Sequence, residues 1–118
     1  MAMNLIQQAI HTRLLKLATD LEYVELFGKT RAQLRQQFGL KSAPISNDGE
    51  RDYMGILALD TLSKIERKWG EAINSGALKN LNEDNAKIFF LGICSENVRA
   101  AKAEAEQQGI DLLTGEPL

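Results

Sequence analysis

Apolar residues recur every three or four positions along most of this chain, and this spacing limits the fold more than any other feature. The pattern is clearest over residues 4–27, where one stripe consists of Ile6, Ile10, Leu14, Leu17, Leu21 and Val24. Such spacing places the residues on one face of an α-helix. Gly28 follows, and glycine ends helices readily because it takes the left-handed conformation at low cost. The sequence therefore predicts a helix over 4–27.

A second long helix is predicted over about 50–69, ending at Gly70 or within 74–76. Its stripe consists of Met54, Ala58, Leu62, Ile65 and Trp69. Three further apolar residues make its first half apolar on nearly every side, namely Ile56, Leu57 and Leu59. Because such a helix is usually buried on most sides, we expect it to lie at the centre of the fold.

A third long helix is predicted from Asn82, a suitable N-cap, to about residue 107, with Gly109 ending it. Its apolar face consists of Ala86, Phe90, Cys94, Val98, Ala101 and Ala105. A short helix over 30–38, capped by Thr30, and a loop over 41–49 complete the pattern. No segment alternates as a strand does. We therefore predict one all-α domain over 1–118, a four- to five-helix bundle or orthogonal array, with 109–118 as a short tail.

Composition excludes several classes of protein. The 118 residues are 44% hydrophobic and 25% charged with a net charge of −2, which is typical of a globular domain. One cysteine cannot form an internal disulfide, and one histidine gives little basis for a zinc site. No signal peptide or membrane span is recognisable. These features predict a cytoplasmic protein with no cofactor, and nothing in them calls for an enzyme.

The residues whose side chains could react or bind a metal are better explained by structural roles. Cys94 lies on an apolar stripe and is expected to be buried, and His11 lies beside one. Glu22 and Glu25 share the E-x-x-E spacing that can hold magnesium, but no second acidic pair of the required pattern follows. Acids such as Asp52 or Asp60 would have to complete such a site. We therefore expect the E-x-x-E pair to form a solvated acidic edge.

The segment 29–41 is a candidate nucleic-acid site. It carries four bases and no acid, namely Lys29, Arg31, Arg35 and Lys41. Such side chains bind phosphates, although a solvated basic helix face would have the same composition. A helix-turn-helix would need a recognition helix over about 42–50, and Pro44 and Gly49 oppose it.

The adjacent residues Phe89 and Phe90 indicate an interface, because neighbouring residues on a helix point about 100° apart. Phe89 is expected to face an oligomer or partner, and Leu112 and Leu113 either fold back or reach a partner. The leading hypothesis is a small helical protein-interaction module or accessory subunit that forms oligomers, of the kind common in bacteria. The alternative is a nucleic-acid-binding accessory protein using 29–41. A metal-dependent enzyme around Glu22 and Glu25 ranks third.

Overall fold

A computed structural model describes residues 18–40 and 49–118. Its helices, in chain order, are α1, which occupies 18–27, α2 (Arg31–Gln37), a 3-10 helix (Glu50–Tyr53), α3 (Ile56–Asn74) and α4 (Glu83–Gln108). Within these two ranges there is no β-strand, and the one β-bridge is an isolated antiparallel pair of Ile110 and Pro117. The predicted all-α class is therefore confirmed. No helix of this described part is long and apolar enough to cross a bilayer.

The helices α3 and α4 form the framework of the fold, an antiparallel pair joined by the turn at 75–82. The side chain of Asn82 caps α4, its Oδ1 accepting a hydrogen bond of 2.8 Å from the Asn85 amide. Gly109 ends α4 with a φ of 66°, in the left-handed region that favours glycine. Both predicted ends of α4 are confirmed, since each sequence signal acts within one helical turn.

The core lies between α3 and α4. The predicted stripe of α4 is buried in full, and so is that of α3, whose first member, Met54, precedes the helix. At the centre, the rings of Trp69 and Phe90 meet edge to face with their centroids 4.9 Å apart, a favoured geometry for aromatic pairs. Helical periodicity thus identified the residues that hold the two helices together.

The predicted start of α3 is wrong. Residues Glu50–Tyr53 form a 3-10 turn, and the backbone is extended at Met54 and Gly55 before α3 begins at Ile56. The helix continues through Gly70 to Asn74, the later of the two predicted ends.

The expected central position of α3 is also wrong for its first turns. Ile56 is 87% exposed and Leu59 is exposed as well. An apolar surface therefore remains open at the start of α3, beside a groove of about 850 Å³ against the second half of α4.

The last turns of α1 present a different face from the predicted one. Tyr23 and Leu26 are buried together with Leu34 of α2, whereas Val24 is exposed. The earlier stripe residues Ile6, Ile10, Leu14 and Leu17 lie outside the described residues. α2 has the predicted Thr30 cap, and its Gln33 side chain in turn accepts from the Thr30 amide, which completes a capping box.

The C-terminal tail folds back onto the start of α3. Leu113 is buried in the core and Leu112 packs against it, so of the two predicted possibilities the structure shows the inward one. The Gly55 amide donates a hydrogen bond of 3.0 Å to the Leu113 carbonyl. A Cβ at Gly55 would lie 2.7 Å from the Thr114 carbonyl oxygen, so the tail and the backbone before α3 touch directly.

Adding a methyl group at this contact should displace the tail. We expect Gly55→Ala to lower the free energy of unfolding by about 1–3 kcal/mol, because the Thr114 backbone must move and Leu113 then loses its place. Urea denaturation measures the loss. Gly70→Ala is the matched control: an added Cβ there meets no atom within 4 Å, and alanine favours a helix interior by up to about 1 kcal/mol. Equal urea midpoints for the two variants would contradict the close approach.

Candidate functional site

The two arginines of α2 bind one carboxylate. Arg31 Nε donates to Glu50 Oε1 at 2.7 Å, and a terminal nitrogen of Arg35 donates to Glu50 Oε2 at 2.9 Å. The Tyr23 hydroxyl donates to the same Oε1 at 3.1 Å. Arg31 and Arg35 share one side of α2, as their spacing predicts, but that side faces the 3-10 helix. Glu50 thereby ties α1, α2 and the 3-10 helix together.

The electrostatics of Glu50 favour its charged form. Burial alone would raise the pKa of Glu50, but hydrogen bonds from its own backbone amide, Arg35 and Tyr23, together with the charge of Arg31, hold the pKa below its ordinary value. Burial raises the pKa of Tyr23 to about 12, although the nearby Arg51 opposes this. Around neutral pH, Glu50 is therefore an anion and Tyr23 a neutral donor.

The four predicted nucleic-acid-binding residues do not form one open cationic surface. Arg35 is 3% exposed, which corrects the expectation that it offers its charge to a phosphate. Arg31 is partly exposed, but Glu50 already accepts from its Nε. Lys29 is exposed and donates to Gln37. Lys41 lies outside the described residues, and so do residues 42–48 of the stretch that a helix-turn-helix would need as its recognition helix.

A second ionic group surrounds Arg51, next to the first. Two of its guanidinium nitrogens bind Glu66 of α3 at 3.0 and 2.6 Å, a bidentate geometry that arginine favours with carboxylates. Arg51 Nε donates to the Tyr23 hydroxyl at 3.0 Å. Glu22 Oε2 lies 3.9 Å from the same guanidinium. We refer to the two groups together as the ionic cluster, which consists of Glu22, Tyr23, Arg31, Arg35, Glu50, Arg51 and Glu66.

Glu22 is the most unusual member of the ionic cluster. It is 1% exposed, so the predicted solvated acidic edge is wrong at this position. Burial, the charge of Glu66 and a hydrogen bond to Glu66 raise the pKa of Glu22 to about 9, against the opposing effect of Arg51. Burial would raise the pKa of Glu66 too, but the bond from Arg51 lowers it below its ordinary value. At neutral pH the Glu22 carboxyl therefore stays protonated and donates a hydrogen bond to the Glu66 carboxylate.

The acidic residues do not assemble into a metal site in the described part of the chain. No group of three or more His, Cys, Asp or Glu side chains there has the arrangement to hold a metal ion. Asp52 is exposed, and Asp60 pairs with Lys64 at 2.9 Å. Arg51 supplies the positive charge beside Glu22. His11 lies outside the described residues.

Cys94 is buried, as predicted, between Phe90 and Val98 on α4. Burial raises the pKa of its thiol to about 12, and the charges of Glu22 and Glu25 act in the same direction. A reactive cysteine needs a lowered pKa. Cys94 therefore stays protonated at neutral pH and acts as a core residue.

The outer face of α4 carries the exposed apolar residues expected from the adjacent phenylalanines. Phe90 is buried against Trp69, whereas Phe89 is 39% exposed and Ile88 is 66% exposed. The next turn brings Gly92, which is exposed and adds no side chain. Of the three predicted interface residues, Phe89 is open to a partner, while Leu113 lies in the core and Leu112 is half-buried beside it.

Sequence reasoning singled out Glu22, Arg31 and Arg35 for other roles, and it missed the ionic cluster that joins them. Glu50, Arg51 and Glu66 carry no local signal of their long-range partners. The one available signal was in α1, where Tyr23 and Leu26 offer an alternative apolar face beside Glu22. This chain matches no protein-family model, no curated protein and no solved structure.

Proposed function

We propose that this protein is a helical interaction module that self-associates through the outer face of α4. The observation that carries the proposal is the exposure of Ile88 and Phe89 on a helix whose opposite face is buried. Large exposed apolar residues side by side mark interaction surfaces, and aromatic residues are enriched at interfaces. Phe90 already fills the core, and packing within the chain leaves 39% of Phe89 exposed.

The alternative function, nucleic-acid binding by 29–41, has less support. Binding to a nucleic acid requires cationic groups that can neutralise its phosphates and so release the counterions condensed on it. Glu50 compensates Arg31 and Arg35 within the chain. Fluorescence anisotropy of labelled duplex DNA at low and moderate salt separates the two functions. Tight binding that weakens steeply with salt would favour the alternative.

Removing the apolar residues should abolish self-association. We expect the wild-type protein to sediment as an oligomer, and the double variant Ile88→Ser with Phe89→Ser to sediment as a monomer. Burial of a large apolar side chain contributes about 1.5–3 kcal/mol, which each serine forfeits. Sedimentation velocity across a concentration series provides the measurement, and circular dichroism verifies that the variant is folded.

Ile56→Ser is the matched control, because Ile56 is an even more exposed apolar residue that lies on α3. The control should sediment as the wild type does. A wild-type protein that stays monomeric at every concentration would overturn the proposed function.

A further inference from the structure

We infer that the partner for the outer face of α4 is α4 of a second copy, packed antiparallel with its twofold axis at Gly92. This inference rests on the proposed function and adds the orientation and register of the contact. In this arrangement Asp84 of each copy faces Arg99 and Lys102 of the other. The argument has three steps, concerning shape, charge and symmetry.

The shape of α4 favours close approach of another helix at Gly92. The buried stripe includes Phe90 and Cys94, which flank Gly92 at two positions on either side. At 100° per residue, each of them points about 160° away from Gly92. A Cβ built on Gly92 meets no atom within 4 Å. The point of α4 farthest from its own core is thus open and lacks a side chain, so that two backbones can approach closely there.

Three exposed charges on this face flank Gly92, one acid before it and two bases after it, while the acid nearest to Gly92, Glu96, already pairs with Lys68 of α3 at 3.5 Å. Asp84 lies eight positions before Gly92, while Arg99 and Lys102 lie seven and ten positions after it. Around the helix these three residues fall within about 60° of one another at 100° per residue. All three are exposed. None of them forms an ion pair within residues 18–40 and 49–118.

A twofold axis converts this pattern into two identical contacts. In an antiparallel helix pair, a residue before the axis faces residues at the same distance after it on the second copy. Asp84 therefore lies within one helical turn of both Arg99 and Lys102 of the second copy, and each charge contact occurs twice. Ile88 and Phe89 lie inside these contacts, four and three positions before Gly92, and face Ser95 and Glu96. A parallel pair would instead place Asp84 beside Asp84.

The test exchanges the charges between two variants. Variant one is Asp84→Lys, and variant two is Arg99→Glu with Lys102→Glu. In a dimer of either variant alone, like charges meet at both contacts. The dimer dissociation constant of each variant should therefore rise at least about tenfold. An equimolar mixture should restore association to the wild-type level, because in the mixed dimer both contacts again join opposite charges. Sedimentation equilibrium of each variant and of the mixture measures this.

Glu106→Lys is the control, since Glu106 lies fourteen positions after Gly92 and α4 starts only nine positions before it. No residue of the second α4 lies opposite Glu106, so this variant should associate as the wild type does. Failure of the mixture to regain association, while Ile88→Ser with Phe89→Ser still makes the protein monomeric, would overturn the antiparallel register and leave the proposed function standing. A monomeric wild-type protein would overturn both.

Discussion

Glu50→Gln is expected to lower the free energy of unfolding by about 3–5 kcal/mol, the range for breaking a buried ion pair by removing one partner. The amide keeps the shape of the carboxylate and removes its charge. Arg35, which is 3% exposed, and Arg31 then lose the anion that they share. Tyr23 also loses a charged acceptor. The loss should appear as a lower urea midpoint in denaturation followed by circular dichroism at neutral pH.

Asp52→Asn is the control for this variant. Asp52 lies on the same 3-10 helix but is exposed, and the substitution likewise removes one negative charge. We expect it to change stability by less than about 0.5 kcal/mol, as surface substitutions usually do. The pKa of Glu50 is lowered in the folded state. Its contribution should therefore be present above the ordinary carboxyl pKa and be lost as the pH falls below it, a dependence that Glu50→Gln removes. Equal stability of the two variants would contradict the role assigned to Glu50.

Local sequence signals predicted what local interactions determine. The stripe of α4, its Asn82 cap and its Gly109 end are each set within a turn of helix, and all three are confirmed. The same holds for Thr30 at the start of α2. The buried residues of α3 follow from helical periodicity in the same way.

The errors arise where contacts distant in sequence decide. Glu50 and Arg51 do not extend α3, because their side chains bind residues of α1, α2 and Glu66. The tail packs against Gly55, and the chain is extended there before Ile56. Glu22 and Tyr23 turn inward for the same reason, since their partners lie 27 or more positions further along the chain. No periodic pattern encodes which arginine will meet which carboxylate.

The candidate surface was predictable in part. Two adjacent phenylalanines on one helix cannot both face the same core, and Phe89 is the exposed one. Arg99 and Lys102 carry no sequence signal that distinguishes them from other charges on a helix. Their relation to Asp84 depends on knowing that Gly92 points away from α3, which the buried stripe of α4 establishes.

Raising the pH from 6 to 8.5 is expected to destabilise the wild-type protein through Glu22. The pKa of Glu22 is about 9 in the folded state, whereas an unfolded glutamate titrates near its ordinary value of about 4.3. Between these values the folded chain binds a proton that the unfolded chain has released. Stability is therefore highest at the lower end of this window and falls as the pH approaches 9. The loss from this one carboxyl is on the order of a few kcal/mol, at 1.36 kcal/mol per pKa unit.

Glu22→Gln should remove this dependence. The glutamine amide can donate to Glu66 without a titrating proton, and Arg51 continues to hold Glu66 from the other side. The variant should match the wild type at pH 6 and exceed it in stability at pH 8.5. The Cys94 thiol, which lies near Glu22 and has a pKa of about 12, adds its own loss only above its unfolded pKa.

Glu25→Gln is the control, because it removes a different acid of α1, one turn after Glu22. It should keep the wild-type dependence of stability on pH. Urea denaturation at half-unit intervals of pH gives the slope for each protein. If Glu22→Gln and the wild type lost stability in parallel, Glu22 would be ionised in the folded state, and the inward face of α1 would carry an anion beside Arg51. If the slope disappears in Glu22→Gln alone, the proton shared by Glu22 and Glu66 is part of the folded structure. The ionic cluster then balances three arginines against two carboxylates and one carboxylic acid, and Arg31 and Arg51, which are partly exposed, keep the remaining positive charge in contact with solvent.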